Sequence, residues 1–153
     1  MDNQDRRILA ALQADSTIAV AELAERIGLS ASSCWRRIQA LEESGIIKGR
    51  VALLDRKSVG VPVTVFVSLR TGFHSMDWLE KFSRVVADIP EIVEVYRMSG
   101  QVDYLLKIVV PDIAAYDAVY KRLIARIDLY DVSSAFAMED MKSTTALPLD
   151  YLP

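Results

Sequence analysis

Between Gly28 and Gly45 the chain gathers side chains suited to meeting a phosphate or the edge of a base: Ser30, Ser32, Ser33, Arg36, Arg37 and Gln39. An arginine guanidinium forks onto guanine or phosphate oxygens, and hydroxyls reach phosphate oxygens or base edges. Interleaved with them stand Cys34, Ile38 and Leu41, spaced as one face of a helix. If that stripe packs inward, the polar residues fall on outward faces. Arg26, Arg36, Arg37, Lys48 and Arg50 form a basic stretch opposed by Glu42 and Glu43. Such a local patch suffices for phosphate contact even in a chain whose net charge is −3.

The elements that must hold these residues follow from apolar periodicity. Ile8, Leu9 and Leu12 give Asp5–Ala14 an amphipathic helix, and Val20, Leu23, Ala24 and Ile27 give a second that stops at Gly28. Ser30 then caps a third helix, ended by Gly45. Two helices joined by so short a turn form a helix-turn-helix, whose second helix enters the major groove of DNA. β-Branched and aliphatic residues from Ile46 to Leu54 predict a hinge strand. The expected domains are therefore 1–45 for DNA binding, 46–60 as hinge and linker, and 61–153 as a second domain.

That second domain reads as β-α-β-β-α-β. Strict alternation from Val61 to Arg70 predicts a two-faced strand, and a helix capped by Ser75 runs to Pro90. Strands over Ile92–Met98 and Asp103–Val110 flank a turn at Gly100, a helix follows the cap Asp112, and Val132–Met141 closes the order. This is the ferredoxin-like arrangement in an α+β chain, with one sheet face left open for dimerisation or a ligand layer.

Other classes find little support. The acidity lies in residues 61–153, with 9 Lys+Arg against 13 Asp+Glu, while 1–60 hold 9 against 8. One cysteine, Cys34, allows no internal disulfide, and its place on the apolar stripe makes it a core thiol rather than a redox sensor. The N-terminus lacks a leader's apolar run, and no stretch is long enough to span a bilayer, so a cytoplasmic protein without membrane contact is expected. His74, the one histidine, has no partner at ligand spacing, so no metal is expected, and Trp35 either touches DNA or packs inward. Ferredoxin-like dimers also host small enzymes, but no Gly-rich phosphate loop or nucleophile–base pair is present, so neither a cofactor nor catalysis is expected. A protein-docking module without DNA binding is the remaining alternative.

Gly28-Leu29-Ser30, Cys34 with Arg37 and Ile38, Leu41-Glu42, Gly45-Ile46-Ile47, Ala52-Leu53-Leu54-Asp55, Ser99-Gly100, Asp103-Tyr104-Leu105-Leu106-Lys107 and Met138-Glu139 together resemble the Lrp/AsnC (feast/famine) family of transcription regulators. The resemblance spans nearly the whole chain. It implies a winged-type helix-turn-helix on near-palindromic double-stranded DNA and a ligand-sensing domain that forms homodimers, assembling into tetramers, octamers or larger species. It also implies an amino-acid effector between dimers, near Met98, Gly100, Asp103, Tyr104, Ser134 and Phe136. Cys34-Trp35, Lys48 to Leu54, Tyr120 to Leu123, Ser134 to Glu139 and Thr144-Thr145 are similar to the DecR-like branch, whose characterised member activates cysteine detoxification. That likeness implies cysteine or another small amino acid as effector. Two positions depart from the family pattern: Gln101 stands where an acidic residue is frequent, and Ala19 where a polar cap is frequent, with Ser16 or Thr17 expected to compensate.

Overall fold

The Asp2 side chain accepts the backbone N–H groups of Gln4 and Asp5, and Asp5 returns the favour to the Asp2 N–H, so a capping box opens helix α1 (Asn3–Ala14). Helix α2 (Val20–Ile27) starts at Ala19 with no side-chain cap. Thr17 turns to Asp15 instead, bonding it through both N–H and hydroxyl. Helix α2 ends where Gly28 takes φ +75°, a left-handed conformation that suits glycine. After three residues Ser30 accepts the Ser33 N–H and starts α3 (Ala31–Glu43). The inner stripe of α3, Cys34, Ile38 and Leu41, is buried with Ile8, Leu9, Leu23, Ala24 and Ile27.

The computed structural model describes residues 1–152, and the chain divides into two units: Met1–Leu53 with the segment from Lys142 onward, and Leu54–Met141. The tail, expected within the 61–153 domain, belongs to the helical unit. Leu149 and Leu152 pack on its core, and Gln13 exchanges two hydrogen bonds with the backbone of Leu147, at 3.1 and 2.7 Å. Arg6 donates to the Leu149 carbonyl at 2.6 Å. The hinge strand expected over 46–54 does not form. A ladder needs a neighbour, and among the described residues the four strands pair only with one another, leaving Val51 77% exposed.

The second unit runs β1 (Val63–Arg70), α4 (Met76–Ala87), β2 (Ile92–Arg97), β3 (Tyr104–Val110), α5 (Ile113–Ile124) and β4 (Asp131–Phe136). All neighbours are antiparallel in the order β2-β3-β1-β4. This is the ferredoxin-like topology expected. Val65, Val67 and Leu69 of β1 and alternate residues of β3 share one core with Trp78, Phe82 and Val85 of α4 and Tyr116, Val119 and Leu123 of α5. Both helices thus cover the same face. On the other face Phe66 and Tyr96 are exposed, and Lys107 pairs with Glu94 at 2.9 Å. Strand β4 stops before the expected Met141, because Ala137 donates to the Thr64 carbonyl near the start of β1 and Pro62, lacking an N–H, cannot extend the ladder.

Removing the tail after Ser143 should lower the stability of the helical unit by about 1–3 kcal/mol, the scale of two partly buried leucines. Differential scanning calorimetry checks this, and an unchanged melting profile would show that the tail contributes nothing.

Candidate functional site

The outward face of α3 is built by the caps and stripe just described. Ser30 is exposed, but its hydroxyl is occupied as the helix cap and lies 3.3 Å from that of Ser32. Ser32 and Arg36 are exposed, and Arg36 enters no ion pair among the described residues. Ser33 and Gln39 are half-buried, with Gln39 donating to Glu42, which also takes Arg50 at 2.9 Å. Trp35 does not pack inward but stands exposed beside Arg36.

Arg37 is placed differently from its expected role of reading bases. Its Nη1 lies 2.7 Å from Asp5 and 2.8 Å from Asp2, tying α3 to the N-terminus of α1. The reason is geometric: the α1 capping box presents two carboxylates to α3, and a half-buried guanidinium satisfies both. The backbone N–H of Asp5, and then Arg37, hold the Asp2 carboxyl below its ordinary value, while Asp5 and Asp2 raise Arg37. This latch was not visible to periodicity, because its partners lie more than thirty residues apart in sequence. Cys34 is fully buried, and burial pushes its thiol up, away from the reactive thiolate.

In the sheet unit the six residues expected around an effector do not meet in one cavity of a single chain. Met98, Gly100 and Asp103 gather at the β2–β3 turn, where Gly100 takes φ +107° and the Met98 N–H donates to the Asp103 carbonyl at 2.8 Å. Asp103 also accepts the Thr71 N–H through Oδ2. Tyr104 points into the core, 4.6 Å from Phe82 and 5.6 Å from Trp78 between ring centres. Ser134 and Phe136 stand on β4, beyond β1 from β3, where both meet Tyr116: Ser134 by a hydroxyl hydrogen bond and Phe136 edge-on at 5.3 Å. Elsewhere in this unit a shallow, open hollow of about 450 Å³ is lined by Tyr120, Ile124 and residues 127–132. Among the described residues no three His, Cys, Asp or Glu side chains are grouped to hold a metal ion, and no helix is long and apolar enough to cross a membrane.

Comparison with known proteins fits both units. Residues 1–48 match a winged helix-turn-helix DNA-binding family, and residues 64–147 match the Lrp/AsnC ligand binding domain. The chain is 50% identical to the glutamate uptake regulatory protein of Zymomonas mobilis, covering 97% of this chain and 91% of the relative. It is 44% identical to the DNA-binding transcriptional activator DecR of Escherichia coli, covering 98% and 99%. Among solved structures, an AsnC family transcriptional regulator from Agrobacterium tumefaciens superposes with a TM-score of 0.97 at 65% identity over the whole of both chains. A transcriptional regulator of Neisseria meningitidis, solved as an L-Met complex, superposes at 0.94 with 33% identity, over 100% of this chain and 99% of that one.

The two arginines should separate on mutation. Arg36→Ala should leave stability within about 0.5 kcal/mol, whereas Arg37→Ala should lower the thermal midpoint at pH 7. Because the folded chain holds Asp2 below its ordinary value, the latch contributes above the usual carboxylate range and is lost as pH falls through the depressed value. The gap between wild type and Arg37→Ala should therefore close below about pH 4. Thermal unfolding across pH 3–7 checks this, and a gap independent of pH would contradict it.

Proposed function

The chain belongs to the Lrp/AsnC family of transcription regulators, a family of regulators rather than enzymes, and from that premise we propose that it binds a near-palindromic operator through α3 and responds to a small amino acid through its sheet unit. Arg36, exposed and without an ion pair among the described residues, on an α3 whose inner stripe is buried, carries this reading. Ser32 and Arg36 face the base edges, and Arg37 keeps α3 seated on α1 so that they can. Ser30 and Ser33 stiffen the start of the helix, and Gln39 with Arg50 flanks it near the phosphates.

Two copies joined through their open sheet faces space two such helices for two half-sites, and further dimers give a tetramer or octamer in the cytoplasm. The effector lies between dimers, which accounts for a site whose residues stay apart within one chain. Gly100 lets backbone N–H groups approach a carboxylate, and Asp103, with one oxygen turned to Thr71, keeps the other for an ammonium. Met98, Ser134 and Phe136 supply walls, with Tyr104 behind them in the core. The resemblance to the DecR-like branch implies cysteine as effector, and the L-Met complex of the Neisseria relative supports a sulfur-containing side chain more broadly. Binding there shifts the assembly between states of different operator affinity.

Two measurements test this. Binding to the chain's own upstream DNA should be specific and weaken steeply as salt rises from 50 to 200 mM, by about 10³-fold or more if six phosphates are neutralised; salt-independent binding, or none, would refute it. Titration calorimetry should give heat with cysteine or methionine, reduced in Asp103→Ala, and no heat with any common amino acid would remove the effector assignment.

A further inference from the structure

Trp35 is 56% exposed, whereas the other tryptophan, Trp78, is 8% exposed, stacks on Phe82 and donates its indole N–H to the Asp128 carbonyl. Indoles are on average among the more deeply buried side chains, so one left in water on a well-packed helix lacks an explanation within the chain. Its position supplies one. Ser32, Trp35, Arg36 and Gln39 follow the i, i+3, i+4, i+7 spacing of one helix face, opposite Cys34, Ile38 and Leu41. Trp35 therefore lies on the stripe that the proposed function sends into the major groove, next to Arg36, which enters no ion pair among the described residues.

We infer that Trp35 is a specificity-determining residue that lays its indole against the C5-methyl group of a thymine. The major-groove edges of the four base pairs offer hydrogen-bond donors, acceptors and one apolar feature, the thymine methyl. A flat apolar ring flanked by a hydroxyl and a guanidinium suits that feature: Ser32 and Arg36 meet polar edges, and the indole and methyl exclude water from each other. This inference rests on the proposed function and deepens it.

The experiment selects the tightest duplex from a random pool with wild-type protein, then replaces each thymine by uracil in turn, which removes only the methyl. At one or two positions uracil should weaken wild-type binding about fourfold, the scale of one buried methyl group. Trp35→Ala should bind the parent duplex at least about fivefold more weakly, with an unchanged salt slope, and be indifferent to uracil at those positions. Trp35→Phe should keep part of the preference. The duplex should also protect wild-type fluorescence from acrylamide, with no such protection in Trp35→Phe, where only buried Trp78 emits. Uracil-insensitive wild-type binding, or unprotected fluorescence in the bound state, would overturn the inference while leaving the regulator reading intact. A change of oligomeric state in Trp35→Ala with parent-duplex affinity retained would overturn it in favour of an interface between copies. Failure of wild type to select any duplex would defeat both readings together.

Discussion

The burial of Cys34, Ile38 and Leu41 against the first two helices fixes everything that α3 can present. An α-helix has only its rotation and its axial position to settle, and three inward side chains, worth about 1.5–3 kcal/mol each for the larger ones, settle the rotation. Once they are inside, Ser32, Trp35 and Arg36 have no alternative but to face out. Arg37 then fixes what apolar packing leaves loose, since two carboxylates at the start of α1 hold the first half of α3 at a defined place along that helix. Neither interaction touches a ligand, yet both decide the angle at which the reading face meets one.

The sheet unit works by a different economy. Its helices pack on one face, and the residues proposed to contact an effector are distributed between a glycine turn and the opposite edge strand. A single chain cannot gather them. On the proposed reading, a sensing site divided in this way would make ligand affinity depend on assembly, and by reciprocity assembly on ligand. The exposed Phe66 and Tyr96 and the half-buried Lys107–Glu94 pair give the open face a mixed apolar and ionic character suited to a defined partner rather than to bulk water.

Much of this was legible in the residues. Ser30, Ser75 and Asp112 mark helix starts by side-chain capping and Gly28 marks a helix end by its left-handed backbone, and each does so in the structure. The order of strands and helices in the sheet unit followed from period-2 and period-3.6 patterns alone. What periodicity missed is long-range. The partners of Arg37 lie across the helical unit, and the tail leucines 149 and 152 find α1 only after folding. The segment 46–54 has the residue types of a strand but no neighbour in its own chain, so propensity without pairing misled there. Resemblance implies Tyr104 near the effector, while alternation along β3 sends its ring into the core.

A structure of the protein bound to its selected operator would show directly how α3 is used. In that complex α3 should lie in the major groove, with Ser32, Trp35 and Arg36 within contact of base edges, Cys34, Ile38 and Leu41 still buried, and Arg37 still on Asp2 and Asp5. A complex in which α3 lies away from the duplex, or in which Arg37 leaves α1 to read a base while Arg36 faces solvent, would contradict that use of α3.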